Sequence, residues 1–456
     1  MTTAPGGQTA GGGRCGTGRG RPEGSGSDPG RQRLVDLAEA HGPEVGGKAA
    51  PLAELLRAGF DVPPGFVVPR CVFRDVVAGL GIAGPTQEAR EKLLATALPP
   101  SVDGATVRAL DRLTGRSTSG CVAVRSSSSS EDTDRRSAAG QHHSALAVRG
   151  RVGVRDAIRA CWASTWNERA VAYRAHVARG NGGARSDEGA GADAGEMAVL
   201  VQEWVDPQVS GVMFTWPEAT GGSGAVTVIE ATWGIGDGLV SGRVTPDSWT
   251  VDGTGVLARR IGAKAERGDR VGGRIVTSPV PAADRARPCL RDDDVRTLHG
   301  LGVRISQVLG GPRDVEWALE GDRIRVLQAR PVTAELPAPA PAPQAPGRDV
   351  LRGVAGAAGT ATGRVRHVRG PADFRRVRPG DVLVCRETDP AWTPLFTVAA
   401  AVITATGGVL SHAAIVAREV GIPAVLGVEA ATARLAADAV VHVDGGTGAI
   451  TLVGPK

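Results

Sequence analysis

Short apolar runs alternate with longer amphipathic stretches along most of this 456-residue chain. That pattern predicts mixed helix and sheet, of the α/β (α+β) class. Buried strands are predicted where small and β-branched apolar residues cluster, at Cys121–Val124, Ala198–Val205 and Ala399–Ile403. From Asp156 to Ala178 the apolar residues recur about every 3.6 positions, which predicts an amphipathic helix.

Composition divides the chain into four parts. Residues 1–30 are Gly-rich and nearly devoid of large apolar side chains, so we expect a disordered tail. Residues 31–334 show globular patterning. Residues 335–349 are predicted to form an extended linker, and the Pro- and Ala-rich run at 335–347 has a reach of roughly 40 Å at ~3.1 Å per residue. Residues 350–456 are then predicted to form a second, smaller α/β unit.

Bulk composition narrows the class of protein. Hydrophobic residues make up 41% and charged residues 22% of the chain, as in soluble globular proteins. The net charge of +5 is dispersed and aromatic residues are 3%, so no nucleic-acid partner is expected. No apolar run reaches the length of a membrane span, and the six cysteines lack metal-ligand spacing. We therefore expect a cytoplasmic protein with no membrane partner.

The stretch from Ile403 to Glu419 carries the strongest chemical signal. Glycines at 407 and 408 predict a turn, and Ser411 suits the N-cap of a helix that ends at Gly421. His412 then lies in the first helical turn, where the helix dipole stabilises an anion. Because a neutral imidazole is a nucleophile near neutral pH, His412 is a candidate for phosphorylation. A lone histidine at a helix start more often only caps or packs.

Two other segments suit contact with phosphate groups. Lys48 follows a glycine pair at a predicted helix start, and Arg125 follows a buried strand and precedes a run of serines. Taken alone, the first segment is typical of a turn and the second of a surface loop.

A hairpin is predicted from Arg313–Leu319 and Arg325–Pro331, which flank a short turn sequence. Glu316 and Gln328 then face one pocket from adjacent strands. A carboxylate and an amide oxygen are hard ligands that suit Mg²⁺ on nucleotide phosphates, and Arg330 can neutralise transferring charge. As isolated residues, the glutamate and glutamine would more simply be surface side chains.

Together these segments resemble the phosphoenolpyruvate-utilising enzymes, the family of phosphoenolpyruvate synthase, pyruvate phosphate dikinase and rifampicin phosphotransferase. The resemblance covers about residues 35–334 and 350–452. It is carried by Gly407–Glu419, by Arg125–Ser127 with Glu131-Asp132, and by the runs at 314–318 and 327–331. The chain departs from the family pattern at Arg135-Arg136, at His142-His143 and at Asp237, where the family usually has Glu.

The resemblance implies an ATP-grasp domain over residues 31–334, joined by the Pro-Ala linker at 335–349 to a swivelling phosphohistidine domain over 350–456. It implies ATP and Mg²⁺ as cofactors, with His412 as the catalytic residue and Glu316 and Gln328 as the metal ligands. The residues implied to bind the nucleotide are Lys48, Arg125, Gly140, Ser144, Gln202, Glu316, Gln328 and Arg330.

The phosphoryl acceptor stays open in this interpretation. The named relatives carry a pyruvate-binding barrel or an antibiotic-binding domain, and neither fits between the predicted domains or before Lys456. We therefore expect a small molecule, such as pyruvate or an antibiotic, or a separate acceptor protein. Two alternatives are a phosphocarrier or regulatory subunit without its own turnover and an inactive nucleotide-binding module.

Overall fold

Four β-sheets and the helices packed on them make up the described part of the chain. The computed structural model describes residues 34–115, 117, 119–128, 144–167, 195–216, 224–332 and 350–453. The predicted tail at 1–30 and the predicted linker at 335–349 lie outside these residues. The fold is of the mixed α and β class, as predicted. No helix in the described ranges is long and apolar enough to cross a membrane.

Three of the sheets come from residues 34–332. The first five strands are β1 (Val35–Asp36), β2 (Gly65–Val68), β3 (Cys121–Ser128), β4 (Ser144–Arg149) and β5 (Met197–Glu203). They form an antiparallel sheet in the order β1-β2-β5-β3-β4. The next eight strands are β6 (Val209–Trp216), β7 (Val226–Trp233), β8 (Asp247–Asp252), β9 (Gly255–Arg260), β10 (Glu266–Val271), β11 (Arg274–Pro279), β12 (Arg313–Glu320) and β13 (Arg323–Pro331). Strands β10 and β11 form a separate hairpin, and the other six form an antiparallel sheet in the order β13-β12-β6-β7-β8-β9.

Helices pack on both faces of the five-stranded sheet. The helices of residues 34–332 are α1 (Gly46–Arg57), α2 (Arg70–Gly79), α3 (Gln87–Ala95), α4 (Pro100–Thr114), α5 (Gly150–Ser164), α6 (Asp237–Val240), α7 (Ala282–Arg285) and α8 (Asp292–Leu309). Helix α8 packs on the six-stranded sheet. Leu52 and Leu55 of α1 share one buried core with Trp249 and Trp317 of the six-stranded sheet. A second core joins α2, α4 and α5 to the opposite face of the five-stranded sheet. The two large sheets are thus held together through α1.

Residues 350–453 form the eight-stranded sheet. Its strands are β14 (Val350–Arg352), β15 (Val354–Ala357), β16 (Thr360–His367), β17 (Val382–Cys385), β18 (Ala401–Thr404), β19 (Ala424–Leu426), β20 (Val440–Asp444) and β21 (Ala449–Leu452). The order is β14-β21-β20-β16-β17-β18-β19-β15, with β16 to β19 parallel. The described residues 350–453 also contain three α-helices: α9 (Thr393–Phe396), α10 (His412–Val420) and α11 (Ala431–Arg434).

Several predicted elements are confirmed closely. Helix α10 begins after Ser411 and ends at Gly421, whose φ of 79° is the left-handed conformation that glycine favours. The predicted hairpin corresponds to β12 and β13, which pair antiparallel around Gly321. The strand predicted at Ala399–Ile403 is β18, shifted by one to two residues.

Two predicted boundaries differ from the structure. Strand β3 extends to Ser128, so Arg125 lies inside a strand and not at its end. Of the serines that suggested a loop, Ser126, Ser127 and Ser128 pair with β5 and are buried there, because their small side chains fit a covered sheet. Helix α5 begins at Gly150, six residues before Asp156, and ends at Ser164. The predicted remainder of that helix from 168 onward lies outside the described residues.

Candidate active site

A cavity of about 190 Å³ opens between the five-stranded and six-stranded sheets. The five-stranded sheet contributes Arg125, Ser144 and Gln202 to its lining, and the six-stranded sheet contributes Glu316 and Gln328. Apolar walls come from residues such as Leu146, Val205, Val212, Ile235, Trp317 and Leu327. Five of the predicted site residues therefore meet at one cleft, although they are separated by up to 203 positions in sequence.

Glu316 and Gln328 are directly opposite each other on β12 and β13. Side chains of directly opposed residues point to the same face of an antiparallel sheet, so both oxygen ligands face the cleft. Mg²⁺ is typically held by one or two protein oxygens together with waters and substrate phosphates, and this pair fits that donor set. Within the described ranges, no group of three or more His, Cys, Asp and Glu side chains is arranged to hold a metal.

Arg125 and Gln202 are fixed by hydrogen bonds to backbone carbonyls. Arg125 donates from Nη1 to the Leu327 carbonyl over 2.8 Å and thereby ties β3 to β13. The Gln202 amide donates to the Pro63 carbonyl over 3.1 Å, and this side chain is almost fully buried. Ser144 pairs with Arg125 across β3 and β4 and is exposed. These contacts position polar groups along one wall of the cavity.

Lys48 lies in the first turn of α1 and is not among the residues that line the cavity. The backbone N–H groups of Lys48 and Ala49 donate to the Ser127 hydroxyl over 3.1 and 3.3 Å. A Cβ on Gly46 would overlap the Ser127 backbone, so this glycine is needed for the helix to approach β3. The glycine pair that suggested phosphate contact has a packing role here. Gly140, also predicted to contact the nucleotide, lies outside the described residues.

Arg330 is paired with Asp314 on the neighbouring strand, at 2.7 Å, and both side chains are nearly buried. Arg330 is likewise not among the residues that line the cavity. Asp314 also acts on Arg418 of α10: burial lowers the pKa of Arg418 to about 10, and Glu230 and Asp314 partly offset that shift. The Arg330–Asp314 pair thus lies close to the helix that begins with His412.

His412 is 5% exposed and is held by one hydrogen bond. Its Nδ1 lies 2.9 Å from the Thr388 hydroxyl, and its ring meets Phe396 edge-on. Nε2 is buried and has no hydrogen-bond partner within the described residues. Burial lowers the pKa of His412 to about 4, with a partly opposing effect of Asp389. The imidazole is therefore neutral at physiological pH.

Ser411 occupies the N-cap position of α10 but does not cap the helix with its side chain. Its hydroxyl donates instead to the Gly408 carbonyl over 2.8 Å. That bond closes the turn before His412, so the serine orders the loop rather than the helix end.

The loop that precedes His412 packs against the six-stranded sheet. The N–H groups of Val409 and Leu410 donate to the Glu230 carboxylate over 2.8 and 3.1 Å. Thr406 donates its hydroxyl to the Gly242 carbonyl over 2.6 Å. Leu410 also shares a buried cluster with Val212, Phe214 and Leu239, and Val212 lines the cavity. The loop therefore lies against one wall of the cleft.

Sequence reasoning missed Thr388 and Glu230 as contributors to this site. Thr388 lies in the loop after β17, and nothing in its local sequence points to a histidine 24 positions later. Glu230 interrupts a strand that is otherwise mostly apolar, and a carboxylate in such a strand is the signal that points to a specific partner. That partner lies 180 positions away in the chain, so spacing alone did not identify it.

Two family models match most of the chain. A family model described as "Pyruvate phosphate dikinase, AMP/ATP-binding domain" matches residues 42–345. A second, described as "PEP-utilising enzyme, mobile domain", matches residues 377–448. The chain belongs to the phosphoenolpyruvate-utilising enzyme family, with an ATP-binding domain followed by a mobile domain.

Relatives named phosphoenolpyruvate synthase are similar to most of the chain. A probable phosphoenolpyruvate synthase of Methanothermobacter thermautotrophicus is 35% identical over 430 residues, which cover 89% of this chain and 61% of the relative. The Aeropyrum pernix phosphoenolpyruvate synthase is 34% identical, over 90% of this chain and 56% of the relative. The Pseudomonas aeruginosa enzyme is 32% identical, over 85% and 53% respectively. The chain thus spans between about half and three fifths of the length of these relatives.

Proposed function

We propose that this chain is an ATP-dependent phosphotransferase that forms a phosphohistidine on His412 and passes the phosphoryl group to an acceptor. In the proposed first step, the lone pair of Nε2 attacks the β-phosphorus of ATP. The bond from that phosphorus to the oxygen shared with the α-phosphate breaks, and AMP leaves. Water then takes the γ-phosphoryl group as phosphate, so that one phosphoryl group stays on His412.

The residues of the cleft have distinct proposed roles. Glu316 and Gln328 would hold Mg²⁺, which when bound neutralises charge on the nucleotide phosphates. Arg125 and Arg330 position phosphate oxygens, Gln202 and Ser144 contact the rest of the nucleotide, and Lys48 and Gly140 are proposed as further phosphate contacts. The cavity is smaller than the roughly 300–1,000 Å³ of typical ligand clefts. We therefore expect the two sheets to open when ATP binds.

The proposal rests on one observation: the loop before His412 packs on the same sheet that carries the proposed metal ligands. Leu410, two residues before His412, packs on Val212, and Val212 is directly opposite Glu316 on the neighbouring strand. The ring is neutral, as a nucleophile requires, and its Nε2 has no hydrogen-bond partner in the part of the chain that the structure describes. Family membership adds independent support.

The acceptor is proposed by chemical class. The relatives named phosphoenolpyruvate synthase suggest pyruvate, while other small molecules such as antibiotics, or a separate acceptor protein, are alternatives. The second function under consideration is a phosphocarrier subunit, which would accumulate phosphohistidine without turnover until its partner is present.

Labelled ATP separates these functions. The purified chain is incubated with Mg²⁺ and ATP labelled at the β- or the γ-phosphate, with His412→Ala as control. We expect acid-labile label from β-ATP only, with one AMP released per chain, and none in the variant. Continued AMP formation on adding pyruvate identifies an enzyme with that acceptor. Absence of both label and AMP would leave the inactive nucleotide-binding module as the correct description.

A further inference from the structure

Glu230 is a fully buried carboxylate whose hydrogen-bond donors come from a distant part of the chain. It lies on β7, and its two oxygens accept from the backbone N–H groups of Val409 and Leu410, one each. These two amides belong to the loop that opens into α10. The phosphoryl-transfer chemistry proposed above assigns Glu230 no role.

A row of directly opposed residues places Glu230 on the same sheet face as the proposed metal ligands. The row runs across β13, β12, β6 and β7 and consists of Gln328, Glu316, Val212 and Glu230. Neighbouring strands lie about 4.8 Å apart, so Glu316 and Glu230 are roughly 10 Å from each other across β6. The loop held by Glu230 is thus held beside the cleft and not at a remote point of the sheet.

The groups around Glu230 favour a charged carboxylate that accepts hydrogen bonds from two N–H groups. Burial raises the pKa of Glu230, and the charges of Arg260 and Arg418 and the two loop amides oppose that rise. Arg260 belongs to the same sheet row, two strands beyond Glu230, whereas Arg418 comes from α10. Three of the four groups that favour the charged form therefore come from residues 350–453.

The absence of a side chain at Gly408 leaves room for this carboxylate. A Cβ at Gly408 would overlap both carboxylate oxygens of Glu230. The φ angle of Gly408 is not in the left-handed region, so its own backbone conformation does not require glycine. Close approach of the Glu230 carboxylate does require it.

We propose that Glu230 is a positioning residue that docks the His412 loop on the ATP-binding sheet. Its carboxylate accepts hydrogen bonds from the Val409 and Leu410 amides. These bonds fix the position of α10 relative to the cleft, and with it the position of His412. The purpose of this docking rests on the proposed function, but the docking itself is measurable without any phosphoryl transfer.

Cross-linking gives that measurement. A Cβ at Gly242 would lie 3.4 Å from the Ser411 Cβ, near the ~3.5–4.5 Å that disulfides favour. Gly242 has a φ of 78°, so a cysteine there is strained, but this strain is the same in all the proteins compared. The Gly242→Cys/Ser411→Cys pair is expected to form a disulfide when the loop is docked. The oxidation rate is compared in this one background with Glu230 intact, with Glu230→Gln and with Glu230→Ala. Asp252→Asn is the matched control, because Asp252 is a nearly buried acid of the same sheet that accepts from its own turn.

We expect cross-linking to slow about tenfold or more in Glu230→Ala, less in Glu230→Gln, and not in the control, since two charge-assisted bonds are lost. ATP affinity, measured by equilibrium dialysis, is expected to stay unchanged. Equal cross-linking rates in all four proteins would overturn the docking role.

A variant on the loop side distinguishes a loss of docking from a change in folding. If Glu230→Ala lowers the melting temperature, Gly408→Ala replaces it, because its added methyl group displaces the carboxylate from the loop while the Glu230 side chain is retained. Slower cross-linking with unchanged melting and unchanged ATP affinity supports docking, and an unchanged rate refutes it. If His412 is not labelled in the wild-type chain, the proposed function is refuted but the docking role is not, because the cross-linking result does not depend on phosphoryl transfer.

Discussion

The hydroxyl of Thr388 is expected to decide which nitrogen of His412 is the nucleophile. When Nδ1–H donates to Thr388 over 2.9 Å, the second nitrogen, Nε2, keeps its lone pair for attack on phosphorus. In Thr388→Val the shape is nearly preserved but the acceptor is lost. The nucleophilic tautomer then carries an unpaired buried N–H.

The size of the effect follows from burial. Thr388 is 4% and His412 is 5% exposed, so water cannot replace the missing partner. An unpaired buried donor costs about 1–3 kcal/mol, and each ~1.4 kcal/mol is tenfold in rate. We therefore predict that histidine phosphorylation slows roughly five- to hundredfold in Thr388→Val.

Rapid-quench single turnover with β-labelled ATP measures this rate directly. Thr388→Ser is the matched control, because it keeps a hydroxyl at the same atom, and it is expected to stay within a few-fold of wild type. A Thr388→Val protein that phosphorylates at the wild-type rate would refute the tautomer argument. Equal losses in the serine and valine variants would also contradict it, since packing would then be the cause.

Three further predictions address the metal, the docked loop and pH. Glu316→Ala is expected to raise the Mg²⁺ concentration needed for half-maximal labelling at least tenfold, measured by titration, whereas unchanged Mg²⁺ dependence would exclude Glu316 as a ligand. Gly408→Ala is expected to slow His412 labelling at least tenfold with unaltered ATP affinity, because its methyl group would overlap the Glu230 carboxylate; equal labelling would contradict that. The folded-state pKa of His412 lies near 4, below the ordinary 6.5, so the unfolded chain binds the additional proton as pH falls between these values. Unfolding free energy is thus expected to fall by up to about 1.4 kcal/mol per pH unit in that window relative to His412→Gln, and parallel pH profiles in denaturant titrations would refute it.

The local structure around His412 was predictable because its signals are local. Ser411 at the N-cap position and Gly421 at the C-terminus bound α10 in the structure as they do in the sequence pattern. The β12–β13 hairpin itself was predictable because a short turn joins its strands, although the pairing of Glu316 with Gln328 also needs the register shift between Glu316 and Trp317. Such features depend on neighbours within a few residues of the chain.

The remaining features depend on contacts between distant segments. The serines after Arg125 suggested a loop, but pairing with β5 overrides their composition and extends β3. The glycine pair before Lys48 suggested phosphate contact, and only the fold reveals that the amides of Lys48 and Ala49 donate to the Ser127 hydroxyl. The role of Glu230 was likewise not predictable, since its partner is a loop 180 residues later in the chain.

Peptide mapping by mass spectrometry after a brief exposure to Mg-ATP tests the central proposal most directly. The account predicts a single phosphoryl group on the peptide that contains His412, removed by mild acid and missing from His412→Ala. An unmodified peptide under conditions where ATP is bound, or phosphate on another side chain that persists in the variant, would contradict it.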